Sequence, residues 1–255
     1  MAIFEKEEME IKNLKIFYGN MEDNPVFDGF SLKVKTKSIT AILAPSGTGK
    51  TTFLSFLAFP DSKKFNVSCD FNSFSPFVSC VFQEPRLFPW LSVIENVALP
   101  LRRFYGKKKR LELAGLLLKE NSLYGLRDRF PCEISGGEKG RVSIARALAY
   151  AGFCSHNGLL PLILLDEPCK SQDQEKKNEF YGNLRNLVEK KSATVIFVTH
   201  SIEEALSVAD RILVFKDRPV SLAGDFSITK NYTGSGQSNP GKIARLELME
   251  ILSKS

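Results

Sequence analysis

Of 255 residues, only one is tryptophan, two are histidine and five are cysteine. The five cysteines (Cys69, Cys80, Cys132, Cys154 and Cys169) are odd in number and form no Cys-x-x-Cys pair. That argues against a disulfide framework and a zinc site, and leaves buried, reduced thiols in a reducing compartment as the expectation. Long apolar runs are missing too. The longest, such as Leu159-Leu-Pro-Leu-Ile-Leu-Leu165, falls far short of the roughly 20 residues a membrane span requires. The first residues, Met1-Ala-Ile-Phe-Glu-Lys-Glu-Glu8, are acidic and lack the apolar centre of a signal peptide, so a cytosolic location is expected. No internal repeat is visible.

What remains is an ordinary globular balance, 43% hydrophobic and 25% charged, enough for one large domain or two small ones. The formal net charge is +6, and much of the excess sits in one run, Arg102-Arg103 and Lys107-Lys-Lys-Arg110. Such a run suits a solvated helix face, nucleic acid or an anionic membrane surface. The solvated face is the preferred reading, and no nucleic-acid partner is expected.

Residues 9–44 read as β. Glu10 to Tyr18 and Phe30 to Lys35 alternate apolar and polar residues, and Asn20 to Gly29 carries turn chemistry. A strand is expected over Phe77–Phe82. From about residue 92 to 151 the period turns helical, with Ser92 and Glu95 as a capping box and helices over Lys108–Lys119 and Ser135–Ala151. The β pattern then returns at Leu162–Asp166, Ala193–His200 and a last strand Arg211–Phe215, between helices at Gln174–Lys190 and Ile202–Asp210. Apolar strands alternating with helices predict an α/β fold with a mostly parallel, doubly wound sheet and a helical insertion. Residues 231–240 have linker composition, and Lys242–Lys254 reads as a short helix.

The chain is organised around Ala44-Pro45-Ser46-Gly47-Thr48-Gly49-Lys50-Thr51-Thr52, which stands between a β-rich run and an apolar helical run. Strand, glycine loop, Lys-Thr and helix make the layout of a phosphate-binding loop. Gly47 and Gly49 let backbone N–H groups turn inward, the helix aims its positive end at the same point, Lys50 adds a point charge and Thr51 offers a hydroxyl to Mg2+. Ala44 stands where the usual pattern has glycine.

Four further elements carry chemistry. Asp166 and Glu167 end an apolar strand, where the first can serve a Mg2+ shell and the second can take a proton from water. Gln83 ends another strand and can approach the metal or that water. His200, after Thr199, stands at the carboxyl end of a strand that faces a ligand crevice; alone it reads more readily as a partly buried structural histidine. Ser135-Gly136-Gly137-Glu138 is a capping box whose two glycines bare a helix N-terminus to an anion.

Taken together and in order, the loop at 44–52, Gln83, Ile134-Ser-Gly-Gly-Glu138, Leu164-Leu-Asp-Glu-Pro168 and His200 resemble the Walker A, Q-loop, signature, Walker B and switch-histidine elements of an ABC-transporter ATPase subunit, over roughly residues 10–217. The resemblance implies a P-loop NTPase (RecA-like) fold with an N-terminal antiparallel β subdomain. The ATP-binding core would take residues 1–88 and 152–230, the helical signature subdomain 89–151, and a linker and helix 231–255. It implies ATP and Mg2+, with Glu167 as general base, His200, Gln83 and Lys50 beside it, and Thr51, Asp166 and Gln83 at the metal. Tyr18 matches the aromatic that stacks on adenine, with Phe17 its neighbouring alternative. A head-to-tail pair, of two copies or with a related subunit, would bring Ser135 and Gly137 to the other chain's γ-phosphate. A permease and a separate solute-binding protein would complete an importer on the cytoplasmic face of the membrane.

Residues 81–101, with Phe88-Pro89-Trp90, look like the nitrate, sulfonate and taurine importer branch, where that tripeptide meets the membrane subunit; a core tryptophan is the competing reading. A non-transport ABC ATPase, a degenerate regulatory subunit and an exporter are the other options. Several features depart from the family. Ala44 would cost about 1 kcal/mol if its φ had to be positive. The segment from Lys50 to Gln83 is short, as if a peripheral hairpin were trimmed. Lys170-Ser171-Gln172-Asp173 replaces Ser-Ala-Leu-Asp, Ala151–Gly158 is extra, and little chain follows the last strand.

Overall fold

The computed structural model describes residues 7–19, 24–71, 77–169, 174–228 and 240–253. Part of the expected turn (20–23), the aromatic stretch 72–76, Lys170-Ser171-Gln172-Asp173 and the linker up to residue 239 lie outside the described residues. In chain order the elements are β1 (Glu8–Phe17), β2 (Phe27–Lys35), β3 (Ile39–Leu43), α1 (Lys50–Ala58), β4 (Asn66–Phe71), β5 (Val78–Val81), α2 (Val93–Ala98), α3 (Lys107–Glu120), α4 (Gly136–His156), β6 (Leu162–Asp166), α5 (Gln174–Lys191), β7 (Thr194–Thr199), α6 (Ile202–Val208), β8 (Arg211–Lys216), β9 (Ser221–Ser227) and α7 (Pro240–Ser253). Short 3-10 turns at Leu99–Arg103, Tyr124–Leu126 and Pro131–Glu133 link the helices. The chain divides into two compact units, Met1–Phe74 with Thr194–Ser255, and Ser75–Ala193.

The first unit holds an antiparallel sheet ordered β2-β1-β4. Strand β2 alternates buried and exposed side chains, because one face of such a sheet meets the core and the other meets water. In the same unit β3 pairs in parallel with β7 on one side and β8 on the other, and β9 runs antiparallel to β8. Every residue of β3 and β7 is buried, as strands covered on both faces require. Four phenylalanines from three elements, Phe27 and Phe30 of β2, Phe53 of α1 and Phe215 of β8, pack with ring centroids 5.2–6.4 Å apart. Phe53 ties the first turns of α1, and so the loop before them, to this core.

In the second unit β5 and β6 pair in parallel, and β6 is wholly buried. Helices α2, α3 and α4 share a core that includes Val93, Val97, Ala114, Leu118, Val142 and Ala145. Helix α4 continues to His156, so the extra residues 151–156 extend a helix. Two strands escaped the sequence reading: β4, which pairs with β1 in the short Lys50–Gln83 segment, and β9, which follows the strand read as the last. Of the thiols expected to be buried, Cys154 and Cys169 are, while Cys69 and Cys80 are only half-buried. Burial pushes Cys80 up to about 12 and Cys154 up to about 11, which keeps them protonated. Cys132, however, is exposed on the 3-10 turn before α4.

Candidate functional site

The phosphate loop leaves the end of β3 and enters α1 through two glycines at positive φ, Gly47 at 82° and Gly49 at 114°. At Gly49 a Cβ would lie 2.6 Å from Val26 Cγ1 and 3.2 Å from Val220 Cγ2, so only glycine fits there. Lys50 folds back across the loop, its Nζ donating to the carbonyls of Ala44 (2.8 Å) and Pro45 (2.6 Å). The Thr48 hydroxyl closes the turn on Pro45 O at 2.9 Å. Pro45, Ser46, Gly47 and Thr51 face solvent, and Thr52 is buried.

Helix α1 has neither a side-chain cap nor an acid in its first turn. The positive end of this helix therefore meets no acid of its own first turn at the loop, and the ammonium of Lys50 stands beside it. These residues fit a polyphosphate.

Ala44 is not among the residues with positive φ, and it is 5% exposed. The feared backbone penalty does not arise, because the left-handed turns fall at Gly47 and Gly49. Ala44→Gly is expected to change nucleotide affinity less than about twofold and to cost about 0.4–1 kcal/mol of stability through the freer unfolded chain. Titration calorimetry and thermal unfolding check both.

The Tyr18 hydroxyl lies 2.8 Å from Thr52 Oγ1, which brings the aromatic expected at the base to the loop's own helix. Phe65, just before β4, meets the Tyr18 ring edge-on at 6.2 Å. Nothing in the sequence singled out Phe65. His200 follows β7 and is exposed. After it, Ser201 caps α6 by accepting from the Glu204 N–H at 3.2 Å, and Thr199 donates to the Glu204 carboxylate at 2.7 Å. These bonds fix the turn that carries the imidazole.

The second unit carries the rest. Asp166 ends β6 and is 6% exposed. Glu167 follows with φ 46°, a left-handed backbone uncommon for a residue with a side chain and concentrated at functional turns. Among the described residues no group of three His, Cys, Asp or Glu could hold a metal unaided. A lone carboxylate such as that of Asp166 suits Mg2+, which keeps much of its water and takes further oxygens from substrate phosphates.

Gln83 is exposed two residues beyond β5. The loop after it is held by Arg146, which donates to Arg86 O at 2.7 Å, while the Arg86 guanidinium lies 3.9 Å over Phe82. Ser135 caps α4, accepting from the Glu138 N–H at 3.3 Å, and Glu138 accepts from the Ser135 N–H and hydroxyl, each at 2.8 Å. Those bonds hold the Glu138 carboxyl below the usual range. Gly136 is exposed with open space around it, so the helix end is bare.

Trp90 is 70% exposed, which excludes the core reading. Its loop wraps the fully buried Asn96, which accepts from Phe88 N (2.8 Å) and donates to the carbonyls of Phe88, Leu91 and Ser92 at 2.9–3.1 Å. An asparagine inside the apolar stripe Val93–Ala98 was the available signal for this anchor, and the sequence reading passed it over.

Known proteins of one family resemble this chain. Residues 27–170 match the family model described as ABC transporter. An uncharacterized ABC transporter ATP-binding protein of Methanocaldococcus jannaschii is 33% identical over 220 residues, covering 84% of this chain and 79% of that protein. An aliphatic sulfonates import ATP-binding protein of Pseudomonas savastanoi pv. phaseolicola is 34% identical over 209 residues, 82% of each. Among solved structures, a dimeric post-hydrolysis state of an ATP-binding cassette bound to ADP and Pi matches with a TM-score of 0.72 and 27% identity, over 88% of this chain and all of that one. This chain belongs to the ABC transporter family and is one of its ATPases.

Proposed function

We propose that this ATPase is the energy-supplying subunit of an importer for a small solute of the nitrate, sulfonate or taurine type, working in a head-to-tail pair on a separate permease. The observation that carries the transport half of this reading is Trp90. A large aromatic held outward by a buried asparagine is an anchor for a partner, since exposed tryptophan is rare on an isolated surface and common at the centre of an interface. The names of relatives support the import direction: besides the sulfonate importer, a taurine import ATP-binding protein of Chromobacterium violaceum is 36% identical over 200 residues. Specificity for the solute would lie in the permease and its solute-binding protein.

On this reading the loop N–H groups and Lys50 bind the phosphates, and Tyr18, fastened to Thr52, offers its ring to the base. Thr51, Asp166 and Gln83 would hold Mg2+, which supplies charge neutralisation on the phosphate oxygens. Glu167 accepts the proton of the attacking water, and His200 donates to the γ-phosphate. The bare start of α4 in the partner, with Ser135 and Gly137, closes only over a triphosphate, so hydrolysis releases the pair. The helical part (89–151) would act as a subdomain between the permease and the core (1–88 and 152–230).

The test lies in the neighbouring reading frames. A multi-span membrane protein beside a secreted binding protein is expected. Co-expressed, the membrane protein should retain the cassette after detergent extraction, and Trp90→Ala should release it. A cassette that stands alone, or neighbours belonging to nucleic-acid metabolism, would contradict the importer.

A further inference from the structure

The basic run has no part in the nucleotide chemistry, yet the fold gathers it beside Trp90. A cleft of about 250 Å3 is lined by Phe88, Trp90, Arg102, Lys107 and Arg110, with leucines 91, 99 and 111 between the cations. The buried Arg110 Nε has no hydrogen-bond partner. Glu95, the acid in the lining, already accepts from the Ser92 N–H (3.0 Å) and hydroxyl (3.1 Å). Arg102, Arg103, Lys107 and Lys108 are exposed, and no acid lies between Glu95 and Glu112.

We infer that this face adsorbs the free cassette to an anionic bilayer, with lipid phosphates taken by Arg102, Lys107 and Arg110 and the Trp90 indole seated at headgroup depth. Three physical preferences converge on it. Arginine forks match phosphate oxygens. Clustered cations are drawn to anionic lipid surfaces. Tryptophan favours the membrane–water boundary, with an apolar ring and a donor N–H. Nucleic acid would share the charge term, but the leucines between the cations suit glycerol and acyl stems better than base edges. The inference goes beyond the importer reading: the bilayer would hold the cassette by the face that the permease then takes over.

Trp90 is the only tryptophan in the chain, so intrinsic fluorescence reports this site alone. The expected result is a blue shift, and quenching by brominated acyl chains, with phosphatidylglycerol-rich vesicles. Pure phosphatidylcholine should give neither, and rising salt should abolish both. Arg102→Glu with Lys107→Glu should weaken vesicle binding by at least about fivefold for each charge altered. Equal response to both vesicle types would overturn the inference. So would a shift with soluble glycerol phosphate in the absence of vesicle binding, or tighter binding to a single-stranded oligonucleotide than to vesicles. If the permease complex forms and vesicle binding fails, only this inference falls. If vesicle binding holds and no permease complex forms, only the importer reading falls.

Discussion

Glu167→Gln should retain nucleotide and lose at least about a hundredfold in turnover, the lower end of what a positioned base contributes. The substitution keeps the size and shape of the side chain, so the turn after β6, with its φ of 46°, has no steric reason to change. Asp166 remains in place at the strand end, and with it the proposed metal contact. What disappears is the lone pair able to take a proton from water, since a carboxamide is not basic at neutral pH. Single-turnover hydrolysis measured beside equilibrium binding separates the two effects. With hydrolysis blocked, the ATP-bound pair should also accumulate, visible as a doubling of mass in light scattering. Near-normal hydrolysis would remove Glu167 from its role.

Gly49→Ala should abolish nucleotide binding, with affinity falling more than about a hundredfold, and destabilise the fold by about 1–3 kcal/mol. Two costs fall on one atom. The backbone at φ 114° is a region side chains rarely adopt, and the new Cβ would meet Val26 Cγ1 at 2.6 Å. Val26 cannot withdraw cheaply. It is 2% exposed, its N–H donates to Ile16 O at 2.7 Å and its carbonyl accepts from Val220 N–H at 2.8 Å. The loop must move instead, taking with it the N–H groups that would receive phosphate. Gly47→Ala is the internal control. Its φ is 82° but nothing lies within 4 Å of the added Cβ, so only the conformational cost of about 1–2 kcal/mol applies. Calorimetry and thermal unfolding of the two variants should separate clash from backbone strain.

The parts of the fold read correctly from the sequence are those whose burial is self-evident. Leu162–Asp166 and Thr194–Thr199 are apolar along their length because both faces are covered, and each stops at residues proposed to carry the chemistry. The capping box at Ser135 was legible because its two partners are three residues apart.

What escaped depends on neighbours distant in sequence. Strands β4 (Asn66-Val-Ser-Cys-Asp-Phe71) and β9 (Ser221-Leu-Ala-Gly-Asp-Phe-Ser227) are edges whose order comes from pairing with β1 and β8, not from an apolar pattern of their own. The reach of α4 to His156 was hidden by Gly152 and Ser155, which read locally as breakers. Ala44 looked like a defect only because a motif was compared letter by letter. The backbone angle, which a letter does not encode, falls elsewhere in the loop. Trp90 was ambiguous for a similar reason: its exposure follows from four hydrogen bonds to Asn96, six residues on.

Calorimetric titration of ATP with Mg2+ into the Glu167→Gln protein tests the central claim most directly, because slow turnover leaves binding alone to be measured. Saturable heat at micromolar nucleotide, absent from the same protein carrying Gly49→Ala, is the predicted result. No heat even at millimolar nucleotide would contradict the assignment of residues 44–52 as the phosphate site.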